Sequence, residues 1–170
     1  HTLVKGALFL AVGVLAATGG ARLLPALLLT GVLALSLGGM PLTSGALAKL
    51  ATKPMLGYGV LSTAMALAGA GSTLLMLHFL RIVAGDARAN PAAAGAPAGQ
   101  IVPWLVVAAA SLAIPWGLYP AVSGESLASL VKPDALWKLL WPMALGAGAL
   151  FIVSRFPKLP GSIPEGDIVV

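Results

Sequence analysis

Cysteine is absent from the 170 residues, which excludes disulfides, thiolate zinc sites and Cys-ligated iron–sulfur clusters within the chain. Acid is scarce: five Asp and Glu stand against ten Lys and Arg, a net charge of +5. Two histidines, His1 and His78, are too far apart in sequence to mark a metal site, so no metal or cofactor is expected. Charged residues of all kinds make up 9% of the chain, where a soluble domain carries about 25%. So little polar surface makes nucleic-acid binding a poor explanation of the positive charge and membrane orientation a good one. No Walker motif, dinucleotide fingerprint or nucleophile elbow occurs, so nucleotide-driven, redox-cofactor and hydrolase chemistry find no site here.

What is present is apolar. Hydrophobic residues form 59% of the chain and the mean hydropathy is +0.99. Apolar runs recur that are long enough for transmembrane helices, and the sequence reads as an all-α integral membrane protein with about five spans. The first covers about Thr2 to Thr18 and closes at Gly19-Gly20. The second is the stretch from Leu23 to Lys53. The third covers about Gly57 to Val83, the fourth Ile101 to Val122 and the fifth Ala135 to Val153. Residues 84–100, rich in Ala, Gly and Pro, read as a flexible linker. Within 123–134, Leu127, Leu130 and Val131 suit a short interfacial turn. Trp104, Trp116 and Tyr119 near the ends of the fourth span, and Trp137 and Trp141 at the entry of the fifth, suit an aromatic belt. Pro115 predicts a kink in the fourth span. The chain divides into a helical bundle, 1–153, and a polar tail, 154–170. Because it begins at His1 in what reads as a helix under way, it is expected to be the C-terminal part of a longer protein.

The stretch Leu23 to Lys53 organises the rest. It has no charge until Lys49. An unbroken helix of that length would run to roughly 45 Å, against a hydrocarbon core about 30 Å thick. It carries its own interruption, Gly38-Gly39-Met40-Pro41, followed by Thr43 and Ser44, either of which suits the cap of a new half-helix, and by Gly45. The pattern predicts a discontinuous helix broken near mid-bilayer, with Lys49 on its second half. Irregular backbone at that depth survives only where protein buries it or it lines a wet cavity, and an ionisable residue beside it is a functional-site hypothesis.

Lys49 is therefore the first candidate. A Lys at a helix centre costs on the order of 2.5–3.5 kcal/mol on insertion scales, and in dry surroundings its amine can load and release protons. The alternative is that Lys49, four residues before Lys53, snorkels to the surface. His1 and Lys5, spaced i,i+4, stack on one face and can pass a proton along it. If the helix starts where the chain does, the same pair is only a solvated helix end. His78 with Arg81 lies near a membrane boundary, where basic residues anchor helices, and Lys138 between two Trp residues reads as an anchor too. Glu125, Asp134, Glu165 and Asp167 fall in loops or the tail, so any acidic partner for the lysines comes from elsewhere. Arg22, Arg81, Arg88, Arg155 and Lys158 on one side, against Lys53, Lys132 and a snorkelling Lys138 on the other, place the C-terminus in the cytoplasm.

The segment HTLVKGALFLAVG resembles the H-x-x-x-K-x-x-L-F-L-x-x-G stretch of the antiporter-like subunits of respiratory complex I, Mrp-type cation/proton antiporters and membrane-bound hydrogenases. LSLGGMPLTSGALAKL is similar to the G-x-P-x-x-x-G-F-x-x-K segment of the same superfamily. The two motifs occur in the family's order, and residues 1–50 carry the specific likeness. The resemblance implies a proton-translocating subunit with two inverted halves, each holding a broken helix, linked by a mid-membrane axis of Lys, His and Glu. Carried over by position, His1 and Lys5 match the central His–Lys pair and Lys49 the charged residue of the second broken helix. The family's aromatic before that Lys is Leu47 here, preceded by Ala46, and the first half is not in this chain. The resemblance further implies other membrane subunits as partners, protons or sodium as the ion, and a prokaryotic cell membrane as the location. It leaves open a redox-driven pump of the NADH:quinone oxidoreductase or hydrogenase kind, and a secondary antiporter. The competing class is a structural membrane subunit that scaffolds a complex, its lysines being anchors. A membrane enzyme has no site to argue from.

Overall fold

A computed structural model describes residues 2–56, 59–89 and 95–155. Six α-helices form among them: α1 (Thr2–Ala16), α2 (Leu23–Gly38), α3 (Ser44–Leu56), α4 (Val60–Ala89), α5 (Ala98–Ser123) and α6 (Pro133–Arg155). Short 3-10 turns precede α2 (Gly20–Arg22) and α6 (Leu127–Val131), and no strand forms among the described residues. α1 packs between α2 and α5, α2 lies on α4, α4 on α6, and α3 on α5. The centre is made of small and branched side chains: Leu33 and Ala34 of α2 meet Val4, Ala7 and Leu8 of α1 and Ala108 of α5. Small residues let helix backbones approach where lipid gives no hydrophobic drive to association. Gly146 of α6 is one such close approach, because a Cβ there would collide with the Ala70 carbonyl of α4.

α4, α5 and α6 are each long and apolar enough to cross a membrane, yet only 11%, 17% and 17% of their most apolar windows are buried inside the protein. A helix apolar all round is one that spans a membrane or is buried in a larger core, and the low burial of these three suggests a membrane protein. Phe9 at 81% and Val60 at 89% exposure are the extremes of an apolar outer surface. By length, three helices span; α1 and α2, at 15 and 16 residues, are apolar but shorter, below the roughly 20 residues a crossing takes. The five expected spans are thus reached only by counting α1 and the α2–α3 pair as crossings.

Several boundaries differ from expectation. The linker predicted at 84–100 is helical at both ends: α4 continues to Ala89 and α5 begins at Ala98 behind Pro97. Ala84, Ala87 and Ala89 are strong helix formers and outweigh the single Gly85. α5 runs unbroken to Ser123 with Pro115 and Pro120 inside it. Trp104 is not in an aromatic belt; it is 3% exposed and packed against Ala11, Val14 and Leu15 of α1. Tyr119 is also buried, against Leu47 and Leu130, whereas Trp137 is exposed as a belt residue would be. The interfacial turn forms over Leu127–Val131, and of Leu127, Leu130 and Val131 only Leu130 is buried. The tail from residue 156 lies outside the described residues.

Candidate functional site

The break expected at Gly38-Gly39-Met40-Pro41 is where α2 stops. Gly39 takes the left-handed conformation, φ 97° and ψ 31°, which costs a Gly nothing sterically. Its N–H donates to Ser36 O at 3.0 Å and the Met40 N–H donates to Leu35 O at 3.0 Å, a Schellman closure that satisfies the last carbonyls of α2. The chain then turns through Met40 to Thr43, closed by Thr43 N–H to Met40 O at 3.2 Å. Pro41 takes the second position, and Leu42, with φ 64°, the third. A positive φ there is the mark of a type II turn and normally belongs to Gly or Asn.

α3 starts at Ser44, but neither expected cap acts as one. The Thr43 hydroxyl donates backwards to Met40 O at 2.6 Å, and the Ser44 hydroxyl pairs with Ser36 Oγ at 2.9 Å. The N–H of Gly45 is met instead by Ser36 Oγ at 3.2 Å. A residue on the last turn of the first half-helix thus caps the second. Gly45 is required, since a Cβ would collide with the Ser36 carbonyl oxygen. Ser36 is 0% exposed; it was not foreseen as a site residue, and its only sequence signal is a hydroxyl inside an apolar run.

Lys49 leaves α3 and turns back. Its Nζ donates to Gly38 O at 2.6 Å, eleven residues earlier. The amine sits in a notch of glycines: a Cβ on Gly39 would come within 2.5 Å of Nζ, and one on Gly69 of α4 within 2.7 Å. Gly38 itself lies so close to α4 that a Cβ would fall 2.6 Å from Thr73 Oγ1. Lys49 therefore does not reach along α3 toward Lys53 as a snorkelling lysine would. Its ammonium lies against the carbonyl end of α2, where a helix dipole favours a cation.

The other side of Lys49 is open. It lines a cavity of about 180 Å³ between α3, α4 and α6, together with Ser62, Thr63, Lys138 and Trp141. Lys138, read from sequence as an anchor, thus shares a cavity with Lys49. The consecutive helices α3 and α4 make it together with α6, far along the chain, so no local pattern announces it. Lys5 is exposed on α1 and borders a different, apolar groove with Phe9, Leu37, Met76 and Phe79. Leu37 adjoins Gly38, and Met76 follows Thr73 by one turn, so groove and cavity flank the same α2–α4 contact. Lys5 and Lys49 thus line two different spaces. His1 lies outside the described residues. His78 and Arg81 are exposed on α4 and line neither space.

A third space, about 340 Å³, lies between α1, α3 and α5 and carries the hydroxyls of Ser44, Ser111 and Tyr119. Among the described residues no group of His, Asp and Glu is placed to hold a metal ion. What the arrangement offers is a protonatable amine on a broken helix, bonded on one side to backbone and open on the other to a polar cavity. Neither models of known protein families, nor curated proteins, nor solved structures give a match to this chain.

Proposed function

We propose that the protein moves protons across a membrane, or exchanges them for a cation such as sodium, as one subunit of a larger membrane complex. Lys49 is the residue that takes up and gives off the proton. The observation that carries this reading is the bond from Lys49 Nζ to Gly38 O at 2.6 Å across the helix break. A charge-assisted bond is about twice as strong as a neutral one. Loss of the proton from Lys49 therefore weakens the joint between α2 and α3, and the state of the amine is coupled to the geometry of the break. The cavity of Ser62, Thr63 and Lys138 supplies the wet side such a residue needs.

The likeness of residues 1–50 to antiporter-like subunits supports the same reading. In it the α2–α3 pair and α1 are crossings four and five, the break lies near mid-bilayer, and His1 and Lys5 hand protons toward Lys49 from an inverted first half lying upstream. The lysines' acidic partners come from that half or from neighbouring subunits. The excess of Arg toward one end of the bundle supports a cytoplasmic C-terminus, and the likeness to antiporter-like subunits supports a prokaryotic cell membrane. A charge shift elsewhere in the complex drives release from Lys49, and water re-protonates it by way of Lys5 and His1; no covalent bond other than N–H is made or broken.

The test is proton uptake into inverted membrane vesicles carrying the protein in its native assembly, with Lys49→Met. Loss of uptake by about a hundredfold, the lower end of what a positioned proton-transfer group contributes, with assembly intact, supports the relay. Unchanged uptake leaves Lys49 as a tie between two half-helices, and the chain as a scaffold.

A further inference from the structure

We propose that Lys138 is a second proton-carrying residue, placed at the mouth of the cavity whose inner end is Lys49. This rests on the reading of Lys49 as a proton carrier. Lys138 and Lys49 line one space of about 180 Å³, room for several waters at about 30 Å³ each. α6 fixes their order along the membrane. Its Gly146 packs on Ala70 of α4, next to Gly69, against which the Lys49 amine lies. Lys138 is eight residues nearer the start of α6, about 12 Å along the helix axis. The cavity therefore leads from the level of the break toward the end of α6 that begins at Pro133.

The groups facing the cavity are suited to proton exchange. α3 contributes Lys49, α4 the hydroxyls of Ser62 and Thr63 with apolar Met65 and Ala66, and α6 the Lys138 amine beside Trp141. No carboxylate of the described residues lines it. The nearest charges in sequence are Lys53, one turn after Lys49 on α3, Asp134, one turn earlier than Lys138 on α6, and Lys132 just before that helix; the 3-10 turn Leu127–Val131 packed against α6 carries none. Two amines thus border one space that also carries two hydroxyls. Lys138 loses its proton to water at the mouth, then takes one from the Lys49 ammonium through hydroxyls and water, leaving Lys49 as the neutral amine; the reverse sequence loads Lys49. An anchor, by contrast, needs only positive charge and a long stem.

Arginine separates the two roles, since a guanidinium keeps its charge and reach but does not give up its proton in proteins. The experiment measures proton uptake against pH in inverted vesicles carrying Lys138→Gln, Lys138→Arg or Lys132→Gln, normalised to assembled complex, beside Lys49→Met. The expected result is that Gln and Arg at 138 both lower uptake about tenfold or more and both change its pH profile, while Lys132→Gln does neither. An Arg variant that works like the unaltered protein makes Lys138 an anchor and overturns the proposal, as does normal uptake in both variants. If Gln prevents assembly, the Arg variant decides alone. Lys49→Met tells the failures apart: collapse there with normal Lys138 variants sinks only this inference, and no change there removes the reading beneath it.

Discussion

Ser36 and Ser44 meet Oγ to Oγ at 2.9 Å, eight residues apart across the turn between α2 and α3. The same Ser36 hydroxyl accepts the Gly45 N–H, so one buried side chain joins the end of α2 to the start of α3. Ser36→Ala leaves the Gly45 N–H without that partner and Ser44 without its hydroxyl neighbour, at an expected cost of about 1–3 kcal/mol. The double variant Ser36→Ala/Ser44→Ala is expected to cost less than the two singles added, because they share a bond. Thermal unfolding of the four proteins in one detergent measures this; strict additivity means that the hydroxyls do not interact.

Gly39 tests the turn itself. Alanine there adopts φ 97° only under strain, about 1–2 kcal/mol for an L-residue in the left-handed region, and its Cβ presses on the Lys49 amine. Gly13 is a matched control inside α1, with open space around a built Cβ. Gly13→Ala is expected to leave stability unchanged or to raise it by up to about 1 kcal/mol. Equal melting temperatures for the two variants would remove the argument that the break depends on a left-handed glycine.

Gly146 sets how closely α6 approaches α4. Since even a Cβ meets the Ala70 carbonyl and comes within 2.9 Å of the Thr73 Cβ, Gly146→Val forces the helices apart and is expected to destabilise by about 1–3 kcal/mol. Because α4 and α6 also wall the cavity of Lys49, accessibility of a probe cysteine at Ser62 to a water-soluble thiol reagent is expected to rise with it. A variant as stable as the parent, with unchanged labelling, would mean the contact is loose.

The break was legible because its chemistry is local. Gly38-Gly39 permits the left-handed closure, Pro41 cannot continue α2, and Lys49 is the one charge nearby. The cap was not legible, because Ser36 reaches Gly45 only after the turn has folded the chain back on itself. Thr43 and Ser44 have the right residue types for a cap, but their hydroxyls are taken by Met40 O and Ser36. Residues 84–89 were misread for a different reason: Ala is frequent in flexible linkers and also the best helix former, and following α4 decides between the two. Trp104 and Tyr119 show the limit of an end-of-helix rule, since the rule gives depth and not the face presented. The cavity joining Lys49 to Lys138 depends on three helices packing together, which no single stretch encodes.

Lys5 and Lys49 separate stability from transport. Lys49 holds the Gly38 carbonyl, so Lys49→Met is expected to lower both the melting temperature and proton uptake. Lys5 is exposed beside Phe9 and Phe79, on a surface where a charge facing lipid costs free energy. Lys5→Leu is therefore expected not to lower the melting temperature in detergent, and by removing an exposed charge it can raise it. If Lys5 feeds Lys49, uptake in inverted vesicles still falls by about a hundredfold, with complex assembly unchanged. Adding Lys5→Leu to Lys49→Met then lowers uptake no further, because one pathway is already cut. Normal uptake in Lys5→Leu would instead confine the pathway to the cavity side of the break, with Lys5 meeting a neighbouring helix and taking no part in transfer.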